Sequence, residues 1–347
     1  MHELVLFVPG MLDPAEDIAD QDIPPIPSIE RLFAFGRRGR SAGSGFSDTL
    51  CRQFGLSPQK GQDLPVAALT RVIDDEQSLE GIWMRADPVY LSVNIEGIAL
   101  MDGSTFSLDQ HDALVLAADV RNVLAERGFS LEAPTTQRWY VQLDEMPKIR
   151  TTAIHEVAGQ PIQHSMPVGE EQAVWRSLIN EIQMCLHANP INEEREQRGE
   201  VPVNSVWFWG CGPLPELPEC RWSGVFSDEE IGQGLARHAG VPYAELPEGV
   251  DEIRRAAGET DDILVVISFG LRHAQYHNLG GWQDFISYLE QYWFTSLLHY
   301  LRTGELEKLT IVTGGQKITI TKWSLCKIWN RPGPIRNYID RGTKPRT

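Results

Sequence analysis

The chain of 347 residues is long enough for one large α/β domain or two domains of ordinary size. Its hydrophobic share of 42% and charged share of 23% are typical of globular proteins, which argues against disordered, collagen-like and coiled-coil classes. The formal net charge of −17 argues against binding to bulk nucleic acid, because the chain would repel the phosphates.

The first half of the chain predicts strands and amphipathic helices. Residues 4–8 are a continuous apolar run that ends at Pro9-Gly10, which is typical of a buried parallel strand. Apolar spacing and turn residues then predict further elements. These are helices over 27–35, 47–54 and 109–127, with Leu114 among the apolar residues of the third, and strands within 91–101 and over 138–143.

The second half of the chain shows the same alternation. It predicts helices over 170–187, 228–239 and 282–301, and strands over 203–209, 263–268 and 309–313. This alternation predicts an α/β fold with a doubly wound, mostly parallel sheet. We expect residues 1–89 and 166–330 to form this core, residues 90–165 a small α+β insert, and residues 331–347 a basic C-terminal tail.

Ligands bind at the carboxyl ends of the strands in doubly wound sheets. The loops at 9–13, 209–212, 268–277 and 313–317 follow predicted strands, so we expect them to form any site.

Several absences in the sequence predict a cytoplasmic protein with no membrane association. No apolar run approaches the roughly 20 residues of a transmembrane helix. The start, Met1 to Val5, has an acidic residue where a secretory signal has basic ones. The five cysteines lack CxxC spacing, which is typical of reduced thiols.

Two histidines and one serine are candidates for chemistry. His273 and His277 are four residues apart, so on a helix they would share one face and could ligate one metal, or they could be polar residues of a loop. Ser47 follows the small residues of the segment from Gly43 to Gly45 at a helix start. It could be a nucleophile, or with Asp48 it could simply cap the helix.

Four polar residues and two glycines are candidates for ligand binding. Arg85 with Asp87, and Asn192 with Arg195, could grip a phosphate or carboxylate, or each could belong to a structural network. Trp207 and Trp209 point to one face of a predicted strand and are expected in a core. Gly210 and Gly212 follow them, and we expect this glycine turn to approach a ligand.

Taken in order, these segments resemble archaeal-type, cofactor-independent phosphoglycerate mutases, which are members of the alkaline phosphatase superfamily. The segment from His187 to Gly212 contains N-P-I-N-E-E-R, G-E-V-P-V-N and W-F-W-G-C-G, similar to the family's H-P-V-N-x-x-R, G-K-x-P-A-N and W-x-W-G-x-G. Residues 27–36 and 47–56 and the R-A-D at 85–87 match further family motifs in the same order. The resemblance implies an alkaline-phosphatase-like fold with a lid-like insert.

The resemblance also implies two divalent metals, commonly manganese or zinc, and here the sequence departs from the family. Where the family has Asp-Gly after its first strand, this chain has Pro9-Gly10. The family's D-x-x-x-H becomes His273-x-x-x-His277, and its Asp-His after the final strand becomes Gly314-Gly315. The last family histidine would fall near residues 322–323. A serine nucleophile without its metals lacks an activator, so we expect two-metal catalysis to be lost.

We therefore expect a metabolite-binding or regulatory protein that needs no cofactor and accepts a phosphorylated or carboxylated small molecule. One alternative is an active, manganese- or zinc-dependent mutase or phosphatase with a rearranged site. It would use Ser47, His273, His277 and either Asp13 or Asp48. Another is a scaffold subunit that contacts a protein partner through the basic tail or the aromatic segment 288–300.

Overall fold

The computed structural model describes residues 1–14, 18–75, 79–95, 97–258, 261–326 and 332–339. The chain divides into two units, unit 1 made of Met1–Gly55 and Pro218–Thr347, and unit 2 made of Leu56–Leu217. The predicted insert over 90–165 covers fewer residues than unit 2, which begins earlier and ends later in the chain. Most of the predicted basic tail over 331–347 lies outside the described residues, which include only 332–339 of it.

Within the described residues, the strands are β1 (Glu3–Phe7), β2 (Arg37–Arg40), β3 (Ile82–Asn94), β4 (Gly97–Met101), β5 (Ser130–Glu132), β6 (Tyr140–Leu143), β7 (Ile149–Arg150), β8 (Val168–Gly169), β9 (Ser205–Gly212), β10 (Gly224–Ser227), β11 (Tyr243–Ala244), β12 (Asp262–Val266), β13 (Lys308–Val312) and β14 (Gln316–Thr321). The helices are α1 (Pro27–Phe35), α2 (Phe46–Gln53), α3 (Val66–Asp74), α4 (Gln110–Ala125), α5 (Ile154–Val157), α6 (Gln172–His187), α7 (Pro190–Gln197), α8 (Glu230–His238), α9 (Val250–Ala256), α10 (Leu271–Gln275), α11 (Leu279–Leu289) and α12 (Thr295–Thr303). No helix among these residues is long and apolar enough to cross a membrane.

Unit 1 is built on a seven-stranded sheet with the order β11-β10-β12-β1-β13-β14-β2. The strands from β11 to β13 are parallel, and β14 is antiparallel to both of its neighbours. Leu4 and Leu6 face a core that includes side chains of α1, α11 and α12, whereas Phe7 stacks on Phe46 of α2. Both faces of β1 are therefore covered, which explains its continuous apolar run. The predicted α/β fold with a mostly parallel sheet is confirmed.

The predicted helix over 282–301 is interrupted by a π-helical turn, Glu290–Phe294, between α11 and α12. The Thr295 hydroxyl donates to the Glu290 carbonyl oxygen, five residues earlier, over 2.8 Å. The buried Glu290 carboxylate accepts from the backbone N–H groups of Ser28 and Ile29 at the start of α1. The widened turn therefore places a carboxylate where it caps another helix.

Unit 2 contains an antiparallel sheet with the order β4-β3-β6-β5, in which β9 also pairs with β3. The helices α4 and α6 contribute to its core. The expectation that the segment after Trp209 lies at the carboxyl edge of the parallel sheet is wrong, because β9 belongs to this second sheet and continues through Gly212. Leu114 was expected on the apolar face of α4 but is half exposed, since Leu116, Ala117 and their neighbours supply that face.

Candidate functional site

The carboxyl edge of the parallel sheet brings together three of the predicted loops. β1, β12 and β13 end side by side, because Val8 donates its backbone N–H to Val312 and Ile267 donates to Phe7. The segments that follow these strands start at Val8, Ile267 and Thr313, so they lie next to one another at this edge. This is the position at which ligands bind in parallel α/β sheets.

Helix α2 begins close to this edge, since Phe46 in its first turn stacks on Phe7 with ring centroids 5.5 Å apart. Its N-cap is Gly45, whose φ of +82° is in the left-handed region, and no side chain caps the helix. The prediction that Ser47 and Asp48 cap α2 is therefore wrong. An uncapped helix N-terminus keeps its partial positive charge for an anion.

The Ser47 hydroxyl is the unusual group of this region. Ser47 is 3% exposed, and its Oγ makes no hydrogen bond to any residue that the structure describes. Leaving a buried hydroxyl unsatisfied costs about 1–3 kcal/mol. The hydroxyl at the start of α2 is therefore free to donate a hydrogen bond to a ligand or to accept one from it.

Asp48 is committed to holding the loop before α2. Its Oδ2 accepts from the backbone N–H and the hydroxyl of Ser44, and its Oδ1 accepts from Arg52 Nε over 2.7 Å.

Cys51 lies one helical turn after Asp48. Burial raises the pKa of the Cys51 thiol, and the nearby Glu229 and Asp48 carboxylates raise it further. Cys51 therefore stays a protonated thiol and is not a nucleophile.

The two histidines do not share a helix face. α10 ends at Gln275, and His277 lies beyond it with a φ of +52°, so the i, i+4 argument for a shared metal is wrong for this segment. His273 is half-buried against Gly281, where a Cβ would overlap its imidazole. Burial lowers the pKa of His273, and Arg272 lowers it further, so the imidazole is neutral at pH 7.

The family's metal-ligand positions after β1 and β13 hold residues without donor side chains. Pro9 is buried after β1, and Gly314 and Gly315 follow β13. Asp13 lies beside Gly314, with Oδ2 3.7 Å from where a Cβ would stand. Within the described part of the chain, no group of three or more His, Cys, Asp or Glu side chains comes together to hold a metal ion. These residues do not fit a two-metal centre.

Asp228 is a carboxylate at this edge that the sequence reading did not single out. It follows β10 and accepts hydrogen bonds from the backbone N–H groups of Ser268 and Phe269, after β12. Burial raises its pKa although these hydrogen bonds lower it. The acidic run from Asp228 to Glu230 after a short strand was the available signal.

The candidate ligand-binding residues in unit 2 are engaged in a network of their own. Arg85 forms a bidentate ion pair with Asp87, with distances of 2.7 and 2.9 Å, and both side chains are buried. Asp87 also accepts from Trp209 Nε1, and Arg85 donates to Thr70. This geometry favours the structural alternative for the pair, and a binding role for it stays a prediction. The expectation that Trp207 and Trp209 lie in the core is confirmed by their burial.

Asn192 and Arg195 likewise form their hydrogen bonds with other residues of unit 2. The Asn192 amide donates to the carbonyls of Leu186 and Val203 and accepts from the Val203 N–H. Arg195 is 1% exposed and donates to Asp112 over 2.9 Å as well as to backbone carbonyls. The block from His187 to Gly212 that carries the resemblance thus includes side chains that hold the unit together.

Gly210 and Gly212 permit the close approach of α3. A Cβ at Gly210, where φ is +68°, would lie 2.9 Å from Val66 Cβ, and one at Gly212 would lie 2.8 Å from Pro65 Cβ. The expectation that this glycine turn approaches a ligand is not supported, because a helix start occupies the space.

The segments proposed for a scaffold role are only partly described. Trp293 and Phe294, in the aromatic segment 288–300, are fully buried in the core of unit 1. In the C-terminal tail the described residues include Arg336, and the remaining cations of the tail lie outside the described residues.

Comparison with known proteins supports the resemblance seen in the motifs. No family model matches the chain. A 2,3-bisphosphoglycerate-independent phosphoglycerate mutase of Methanosarcina barkeri is 24% identical over 181 residues, which cover 49% of this chain and 46% of that protein. A probable enzyme of the same name from Geobacter sulfurreducens is 36% identical over 97 residues, or 26% of this chain and 24% of that protein. The chain spans about half or less of the length of these relatives.

One solved structure shares the fold over most of its length. The PH0037 protein from Pyrococcus horikoshii superimposes with a TM-score of 0.53 at 12% identity, covering 92% of this chain and 87% of that chain. The resemblance to cofactor-independent phosphoglycerate mutases is confirmed by these curated relatives, and the mixed α/β fold is shared with the solved structure.

Proposed function

We propose that this chain is a cytoplasmic, phosphoglycerate mutase-like protein that has lost two-metal catalysis and binds a phosphorylated or carboxylated metabolite in a binding or regulatory role. The observation that carries the proposal is the contrast at one sheet edge. The Ser47 hydroxyl is buried at the start of α2 and has no hydrogen-bond partner among the described residues, whereas Pro9, Gly314 and Gly315 stand where the resemblance implies metal ligands.

The anion would sit at the start of α2. There the helix dipole and the Ser47 hydroxyl favour a phosphate or carboxylate oxygen. The Asp48 carboxylate would oppose an anion, but its two oxygens are engaged by Ser44 and Arg52. Binding would supply the hydrogen bond that Ser47 lacks, so the free energy of binding would include relief of that cost.

Without metals, Ser47 has no group to activate it. His273 and His277 are not held on one helix face, and Asp48 is turned to its own loop. Because a serine hydroxyl is a weak nucleophile unless a base or metal acts on it, we expect Ser47 to bind the anion without being phosphorylated by it.

The test is a pair of measurements on wild-type protein and Ser47→Ala. Isothermal titration with inorganic phosphate and with 3-phosphoglycerate is expected to show binding that Ser47→Ala weakens. Turnover of 3-phosphoglycerate or p-nitrophenyl phosphate is expected to be absent for both proteins, with or without added manganese or zinc. Turnover that Ser47→Ala abolishes would instead establish an enzyme with a rearranged site.

A further inference from the structure

A second candidate site lies on unit 1, at the edge of its sheet that ends in β2. A cavity of about 300 Å³ opens where the strands β13, β14 and β2 run side by side. The residues that line it are Arg37, Arg38, Gly39, Lys308, Lys317 and Thr319. Arg37, Lys308 and Lys317 bring positive charge to it in a chain whose formal net charge is −17, so the cavity opposes the charge of the protein as a whole.

The strand register explains how these residues come together. β2 pairs with β14 so that Lys317 lies opposite Gly39 and Thr319 lies opposite Arg37. Because alternate residues of a strand share a face, these four residues lie on the same face of the sheet, and Lys308, which pairs with Thr321 of β14, lies on that face too. Arg38 pairs with Ile318 and lies on the opposite face. Gly39 leaves a gap among them, since a Cβ there would have only the Lys317 carbonyl oxygen within 4 Å, at 3.9 Å.

The positive charges of the cavity are poorly balanced. Lys308 lies 3.1 Å from Glu3, but Glu3 also accepts from Arg221, so its charge is shared with a cation outside the cavity. The Arg38 guanidinium lies on the other face of the sheet, where it stacks on the Tyr338 ring at 3.6 Å. Arg37 and Lys317 form no ion pair with any residue that the structure describes.

A simpler role for charge on an edge strand is to prevent pairing with the edge of another sheet, and this role would explain the arginines on β2. It does not account for lysines on two further strands around a gap. We propose that the cavity binds a small phosphorylated metabolite that carries at least two negative charges close together, such as a diphosphate group. The Arg37 guanidinium suits bidentate contact with phosphate oxygens, and Lys317 adds a point charge.

Two observations favour a small ligand over a nucleic acid. The cavity volume is at the lower end of the range for small-molecule sites. The acidic remainder of the chain would repel a long phosphate backbone beyond the cavity.

The experiment is isothermal titration of the full chain with inorganic pyrophosphate. The double variant Arg37→Gln/Lys317→Gln removes the two unpaired cations, and Lys60→Gln/Arg302→Gln removes the same charge from exposed positions elsewhere. We expect the first variant to weaken binding at least about tenfold, because two charge-assisted hydrogen bonds to the ligand are lost. The control variant is expected to change the dissociation constant by less than about twofold.

Several outcomes would overturn the proposal. These are no binding of pyrophosphate to the wild type, equal weakening by both variants, or tighter binding of a single-stranded oligonucleotide than of pyrophosphate. Thermal unfolding of each variant checks that it is folded. Ser47→Ala is expected to keep pyrophosphate binding, so failure of this site and failure of the site at α2 are separate results. Loss of binding in Ser47→Ala would place the pyrophosphate at α2 and also overturn the proposal.

Discussion

Replacing Ser47 with alanine is expected to stabilise the protein in the absence of ligand. The substitution removes a buried hydroxyl that makes no hydrogen bond to the described residues, and such a group costs about 1–3 kcal/mol. Alanine is also the better helix former by about 0.5 kcal/mol in the first turn of α2. Allowing for the contacts that the oxygen atom loses, we expect the free energy of unfolding to rise by about 1–2 kcal/mol.

A matched control comes from Ser227, which is also buried but fully satisfied. Its hydroxyl donates to the Glu229 carbonyl oxygen over 2.9 Å and accepts from the Glu229 N–H over 3.0 Å. Ser227→Ala removes both of these hydrogen bonds, so we expect it to lower the stability by about 1–3 kcal/mol. The same chemical change should therefore have opposite signs at the two positions.

The assay is urea unfolding followed by circular dichroism and by tryptophan fluorescence, without phosphate in the buffer. Ser47→Ala should move the midpoint up and Ser227→Ala should move it down, with unchanged slopes. If Ser47→Ala destabilised the protein as much as Ser227→Ala does, the hydroxyl would have a structural partner and the reasoning about α2 would be refuted.

Three further predictions follow from other parts of the structure. Gly10→Ala is expected to cost more stability than Gly61→Ala. Both positions have a φ near +80°, so both substitutions strain the backbone. A Cβ at Gly10 would also lie 2.8 Å from the backbone of α10, whereas a Cβ at Gly61 would meet open space. Arg195→Met removes the buried cation that pairs with Asp112 and three hydrogen bonds to backbone carbonyls, and leaves Asp112 with the part-exposed Arg198. We expect it to cost about 3 kcal/mol in unit 2, against less than about 1 kcal/mol for Arg198→Met. Burial raises the pKa of Glu3, but hydrogen bonds from Arg221, Thr310 and Lys308 outweigh this effect and hold the pKa below 4.5. The ionised carboxylate therefore stabilises the fold above that pH, and this contribution is lost as the pH falls through the lowered pKa. Glu3→Gln should reduce the loss of stability at acid pH.

Urea titrations of each pair, and pH series for Glu3→Gln, check these predictions. Equal costs for the two glycine variants would show that α10 can move away from Gly10. Equal costs for the two arginine variants would show that the Arg195 ion pair is not the important contact. If Glu3→Gln lost as much stability at acid pH as the wild type does, other carboxylates would be the cause of that loss.

The elements that the sequence predicts well are those whose residue pattern reports burial. β1, β12 and β13 lie in the middle of the sheet and are covered on both faces, so each is an apolar run. β2 was missed because its residues, R-R-G-R, are all exposed at the sheet edge. β9 was recognised as a strand but assigned to the wrong sheet, because an apolar pattern does not show which strand is its partner.

The candidate site was predictable to a similar extent. Counting strand ends located the carboxyl edge, and the motif order located Ser47 at the start of a helix. The sequence could not show that Arg85 and Asp87 satisfy one another, because hydrogen-bond partners depend on tertiary geometry. Nor could it show that Gly210 and Gly212 face α3, since a glycine permits the approach of a ligand and of a helix equally.

The metal content of the protein shows whether a two-metal centre is present. Protein purified without chelators is soaked in manganese and in zinc, passed through a desalting column and measured by elemental analysis. We predict that neither metal is retained in stoichiometric amount, while phosphate still binds at the start of α2. Two equivalents of bound manganese or zinc per chain would contradict this prediction and would show that a two-metal centre forms without the family's ligands.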